Sequence, residues 1–136
     1  MIKTIVLEVI ILLPLLVGCM DKRQIEIPDN ISSLPNITSY ELYKSYIENE
    51  IGTNKKFHKK PFILISKPTS IEEGSYDYSG LINERLGKEA SLRAKLYEID
   101  TTNASKLKVG REVKLFCNNI DMTFSSLYVD CRILKN

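Results

Sequence analysis

Histidine occurs once in these 136 residues, tryptophan not at all, and cysteine three times. Without a second histidine beside a serine or cysteine, nucleophilic catalysis lacks its base. His58, Cys117 and Cys131 are too few and too scattered for a structural zinc site, which gathers four ligands. No glycine-rich phosphate cradle is present, and no apolar run reaches the ~20 residues a membrane-spanning helix needs. Lys and Arg number 19 against 17 Asp and Glu, a net charge of +2. That balance argues against a chain built to coat nucleic acid, whose mark is a clustered basic surface. The composition therefore calls for no metal, no cofactor and no catalytic residue, and an enzyme is not expected.

What is present begins at the N-terminus. Met1-Ile2-Lys3 carries a positive charge, and Ile5 to Leu16 is apolar except for Glu8 and Pro14. Leu16-Val17-Gly18-Cys19 follows, and the chain turns polar at once with Asp21-Lys22-Arg23. A basic start, a short apolar centre and a small-residue cleavage site describe a secretory signal peptide. The cysteine at the cut resembles the bacterial lipobox, which implies a diacylated, palmitate-type thiol at Cys19 that becomes the new N-terminus. Residues 1–18 are then the signal peptide, and the partner at this end is the membrane. Two or more acyl chains hold a soluble domain stably, at about 0.8 kcal/mol per buried CH₂. Met20 rather than aspartate follows the cysteine, which in an enteric-type Gram-negative host implies the outer membrane, facing the periplasm. In a Gram-positive host the domain would face outward.

Cleavage removes one Lys and one Glu, so the net charge stays at +2. The remainder suits one domain. Residues 19–38, with Pro28, Pro35 and no sustained period, read as a flexible tether. Such a stretch spans ~65 Å if extended and about 25 Å as a coil. Isolated Ile25, Ile27 and Ile31 leave open an added strand.

Thr38 and Glu41 have capping-box spacing. Leu42, Tyr43, Tyr46, Ile47 and Ile51 follow at helical intervals, and Gly52 sits where a helix stops. Lys55 to Lys60, which contains His58, is a basic loop or a patch attracted to anionic lipid heads or lipopolysaccharide. Phe62-Ile63-Leu64-Ile65 reads as a buried strand stopped by Pro68, and Glu73-Gly74-Ser75 as a turn. Gly80-Leu81-Ile82 opens a strand ending near Gly87. Ala90, Leu92, Ala94 and Leu96 alternate with Ser91, Arg93, Lys95 and Tyr97. Thr101 to Lys108 is a short connection. Val113, Leu115 and Cys117 then alternate, as do Leu127, Val129, Cys131 and Ile133. One amphipathic helix before five short strands gives a mainly β (α+β) domain over residues 39–136. A closed five-stranded Greek-key barrel, the OB-fold, suits that order.

Particular residues sharpen the resemblance. Glu41-Leu42-Tyr43-Lys44, Tyr46, Asn49-Glu50, Phe57 and Lys60 precede a strand. Leu107 to Val113, Cys117 and Val129-Asp130-Cys131 come later. Over residues 40–134 the chain resembles the bacterial lipoproteins called tRNA-anticodon-like OB-fold proteins. Ser66-Lys67-Pro68 departs from the glycine and β-branched residues usual there. The resemblance implies a shape and no activity.

Cys117 and Cys131 lie on the apolar parity of their strands, and a turn centred near Phe124 would set them opposite one another. Facing residues in an antiparallel pair stand about 4.5–5.5 Å apart, within a disulfide's range, and export favours the bond. Asp77, Glu72 and Glu73 read as exposed carboxylates. Tyr76, Tyr78, Arg93, Lys95 and Tyr97 interleave aromatics with cations, the pattern that stacks on sugars or bases. The expected role is a lipid-anchored, extracytoplasmic OB-fold protein with a non-catalytic binding or interaction role, its partner an envelope protein or polymer. The alternative is an oligosaccharide- or nucleic-acid-binding barrel using that basic, aromatic face.

Overall fold

The structure, a computed structural model, describes residues 25–97 and 101–134. The signal peptide and Cys19 lie outside the described residues. Among those described, the elements run β1 (Asn36–Thr38), α1 (Ser39–Glu48), α2 (Glu50–Phe57), β2 (Phe62–Ser66), β3 (Ser70–Glu73), β4 (Gly80–Arg85), β5 (Ser91–Leu96), α3 (Thr101–Ser105), β6 (Val113–Thr123) and β7 (Ser126–Ile133).

The strands form one sheet in the order β1-β2-β6-β7-β5-β4-β3. β1 with β2 and β5 with β7 are parallel pairs; the other neighbours are antiparallel. A parallel pair needs a crossover, and between β5 and β7 the chain supplies α3 and β6. The result is an OB-like α+β fold, but its ladder does not close on itself as a barrel was expected to. Pro68 interrupts the first strand. It has no N–H to give a ladder, and the chain on its two sides forms β2, second in the strand order, and β3, at its far end. Thr69 resumes pairing by donating its N–H to the Asn83 carbonyl at 2.8 Å. The break is bridged by Glu84, whose Oε1 accepts from Ser66 Oγ at 2.8 Å and from the Lys67 N–H at 2.6 Å. Strand pairing therefore continues beyond the proline where the sequence reading stopped it.

Helix formation starts as the spacing predicts: Thr38 Oγ1 accepts the Glu41 N–H at 3.2 Å. It ends differently. Asn49 closes α1 by donating to the Ser45 carbonyl at 2.9 Å. Its own Oδ1 then caps α2 by accepting the Gly52 N–H at 3.0 Å. An asparagine side chain competing for backbone groups favours caps over helix interiors. Gly52 therefore sits in the first turn of a second helix, and that helix continues to Phe57. The expected apolar stripe is split: Leu42 and Tyr46 are buried, whereas Ile47 is 63% exposed and Ile51 82%.

Inside the curled sheet, alternate residues form the main core. Leu64, Ile82, Leu92, Ala94, Leu96, Leu115, Ile120, Leu127 and Val129 meet Leu42, Tyr46 and Phe57 from the helices. The rings of Phe57 and Phe62 meet edge to face, with centroids 5.1 Å apart. A disulfide joins Cys117 to Cys131, cross-strand partners with Cα atoms 4.0 Å apart. Their hairpin turns at Phe124 and Ser125.

A second cluster lies on the outer face. Ile25, Ile63, Tyr97 and Phe116 are buried there, with Ile27, Ile31 and Leu34 packed against them. Arg132 Nη1 donates to the Ile25 carbonyl at 3.0 Å. Residues 25–34 of the expected tether are therefore part of the domain, because their isoleucines cover an apolar patch that the sheet alternation leaves outside. The added strand is β1, not a strand through Ile25, Ile27 or Ile31.

Candidate functional site

The outer face of β4, β5 and β7 carries the strand-borne residues singled out from the sequence. Cross-strand register sets two rows side by side, polar but for Leu81. One runs Ser70–Asn83–Arg93–Tyr128–Asp121, and the other Glu72–Leu81–Lys95–Asp130–Asn119. Period-two alternation puts these side chains outside while Ile82, Ala94 and Val129 go inside.

Lys95 lies at the centre of the face. Its ammonium stands 5.6 Å from the Tyr78 ring centroid and 5.0 Å from that of Tyr128, within cation–π range of both. Arg93 is half-buried. Its Nε, together with Oδ1 of its register partner Asn83, is shut from solvent and without a hydrogen-bond partner. Such buried unpaired groups are uncommon and costly. Tyr97 stands apart from the expectation. It is 5% exposed, meets Tyr78 edge to face at 6.4 Å, and donates its hydroxyl to Asp130 Oδ1 at 3.1 Å. Packed under residues 25–34, it offers no ring face to a ligand.

Two loops flank the face at opposite ends of its strands. Residues 74–79 join β3 to β4, held by the Gly74 N–H donating to the Ser79 carbonyl at 3.0 Å. A Cβ at position 74 would run into the backbone of Tyr78 and Ser79, so the turn requires glycine. Tyr76 at its tip is 88% exposed. At the other end the β6–β7 turn carries Phe124, 99% exposed and held at φ 56°. A bulky residue in that left-handed region costs roughly 1–2 kcal/mol. OB barrels bind ligands on their second and third strands with the loops after the first and fourth. Here those are β4, β5, residues 74–79, and the Phe124 turn.

Asn83, Tyr128 and Phe124 complete the site without having been named for it in the sequence reading. The parity of β7 could have placed Tyr128 on the outer face. Nothing in the sequence brings it beside Lys95, because that contact depends on the parallel pairing of β5 with β7.

Two other features carry charge. Lys55, Lys56, Lys59 and Lys60 are exposed around the end of α2. His58 is within hydrogen-bond reach of the Ile120 carbonyl at 3.1 Å through Nδ1, and the Lys59 N–H donates to Asn119 Oδ1 at 2.9 Å. A groove of about 620 Å³ is lined by Lys106, Lys108, Arg111 and Lys114, with Glu112 as its one carboxylate. Among the described residues no three His, Cys, Asp or Glu side chains group closely enough to hold a metal ion. No described helix is long and apolar enough to cross a membrane.

No family model matches the chain, and no curated protein matches it. Among solved structures, a provisionally assigned nucleic-acid-binding lipoprotein from Klebsiella pneumoniae superposes with a TM-score of 0.61 at 9% identity, covering 81% of this chain and 100% of that one. A provisionally assigned aspartyl-tRNA synthetase from Leishmania major Friedlin gives 0.46 at 7% identity, over 82% of this chain and 22% of that one. At such identities the first likeness is one of fold: this chain shares the architecture of the Klebsiella lipoprotein.

Proposed function

We propose that the protein is a non-catalytic binding module of the bacterial cell envelope, acylated at Cys19 and belonging with the tRNA-anticodon-like OB-fold lipoproteins. It meets an envelope protein or polymer through the aromatic tips at the two ends of the outer face of β4, β5 and β7. The observation that carries this reading is the pair of aromatic tips, Tyr76 and Phe124, standing in water at the two ends of one cation-bearing face. Covering a fully exposed Phe is worth roughly 1.5–3 kcal/mol, and Phe124 is held there at a backbone cost. The first test is co-purification of one envelope protein from detergent extracts. It should be lost in Tyr76→Ala with Phe124→Ala and kept in Arg93→Ala with Lys95→Ala.

A second reading, a single-stranded nucleic acid or oligosaccharide ligand, draws on the Lys95–Tyr128 pairing and on the description of the Klebsiella lipoprotein. Stacking platforms beside cations suit such ligands. Salt-sensitive retention on immobilised single-stranded DNA or glycans, abolished by Arg93→Ala with Lys95→Ala, would favour it. The anchor is tested separately: Cys19→Ala should abolish lipid labelling and leave uncleaved precursor. Continued labelling would refute it.

A further inference from the structure

We infer that the end of α2 is a docking surface for an anionic lipid bilayer, the one to which Cys19 is proposed to be anchored. The inference rests on that anchored reading and on three features of the fold. First, the link is short. With residues 25–34 packed on the sheet, six residue steps separate Cys19 from the buried Ile25, a reach of at most about 20 Å. The domain therefore stays against the bilayer instead of standing off on a twenty-residue tether. Second, Ile25 joins the cluster that contains Ile63, and Ile63 follows Lys60 by three residues, so at most about 10 Å of chain separates that cluster from the lysine stretch.

Third, the surface has the chemistry of a lipid boundary. Ile47 at the end of α1 and Ile51 in the first turn of α2 are exposed aliphatic chains. Lys55 is one helical turn beyond Ile51, and Lys56, Lys59 and Lys60 follow. None of these lysines pairs with a carboxylate among the described residues. Two exposed carboxylates lie nearby: Glu50 accepts the Tyr46 hydroxyl at 2.9 Å, and Glu48 stands 3.9 Å from Lys44. Lys60 Nζ donates to the Lys55 carbonyl at 2.7 Å but meets no carboxylate among the described residues. Aliphatic side chains beside such cations match acyl chains beside anionic headgroups. A soluble partner protein would leave the closeness of the anchor unused. Docking this way fixes the orientation of the domain as well as its distance from the membrane.

The test uses residues 20–136, which keep every buried residue described and carry no acyl group, so that binding reports this surface and not the anchor. This chain should co-sediment with vesicles of equimolar phosphatidylglycerol and phosphatidylcholine, not with phosphatidylcholine alone, and should release as salt rises. Each cation at such a surface is worth about fivefold in partitioning. Replacing Lys55, Lys56, Lys59 and Lys60 by Gln should therefore lower binding by about a hundredfold or more. Ile47→Ser with Ile51→Ser, a change at exposed positions that leaves the core intact, should lower it by about tenfold. Replacing Lys106, Lys108, Arg111 and Lys114 by Gln should leave binding within about threefold. Vesicle binding that persists when acyl labelling fails at Cys19 supports the surface while removing the anchor. Equal binding to both vesicle types, a loss confined to the groove variant, or retention on single-stranded DNA in place of vesicles would overturn it.

Discussion

The outer face of the sheet is used in two ways. Around β2 and β6 it is apolar, and residues 25–34 cover it; Ile63, Phe116 and Tyr97 lie sealed beneath Ile25. Across β4, β5 and β7 it is polar, and Asn83, Arg93, Lys95 and Tyr128 stay partly exposed there. The same alternation produces both halves, so strand pattern alone does not distinguish them. The difference lies in residue type and cover. One half completes the domain, and the other remains for a second molecule.

Substitutions should separate the halves. The largest effect belongs to the covered half: Phe116→Ala should cost about 3–5 kcal/mol of stability, seen in urea titration, whereas Tyr128→Ala should cost under about 1 kcal/mol. Similar losses at the two positions would erase the distinction. Next comes the bridge beneath both halves. Replacing Cys117 and Cys131 together by Ala removes a cross-link between residues 14 apart, and should cost roughly 3 kcal/mol. Its check is alkylation of the denatured chain without reductant, which should leave Cys117 and Cys131 unmodified.

Smaller effects sharpen the open half. Phe124→Gly relieves the left-handed backbone and should raise stability by up to about 1 kcal/mol while weakening partner capture, a trade expected of a binding residue. Loss of stability with binding intact would make Phe124 an ordinary turn residue. Arg93→Ala with Lys95→Ala should leave thermal stability within about 1 kcal/mol of the native chain, so any loss of ligand retention is a loss of contact and not of fold.

The smallest effect is alkaline. Burial first, then the hydrogen bond to Glu50 and its charge, hold the Tyr46 hydroxyl above its ordinary value of 10.0. The fold thus favours the protonated form. Its contribution is complete below about pH 10, where the unfolded chain begins to lose this proton. It fades as pH rises through the elevated folded value. Tyr46→Phe should remove that alkaline step and leave the neutral-pH profile unchanged in shape.

Much of the β-framework was legible because alternation is local. The period of Ala90 to Leu96 gives β5, and the shared parity of Cys117 and Cys131 gives the hairpin and its bond. The turn centre was read within half a residue; the bulge between Cys117 and Asn119 shifts the register by one. What was illegible depends on distant partners. β3 follows a proline that looked like a stop, and it forms because β4 offers an edge. α2 restarts after Asn49 because that side chain caps it, so Gly52 marks no end. The burial of Tyr97 and the exposure of Ile51 are decided by what the rest of the chain covers. Cys19 was readable only as a motif, from the residues around it.

The open face can be tested without knowing its ligand. Hydroxyl-radical footprinting of the native protein in intact envelopes, compared with the purified protein, reads the exposure of Tyr76 and Phe124 directly. Both rings should be strongly oxidised after purification and protected in the envelope, while buried Phe116 stays unmodified in both. Equal oxidation of Tyr76 and Phe124 in the two preparations would mean that nothing occupies this face, and would contradict the account.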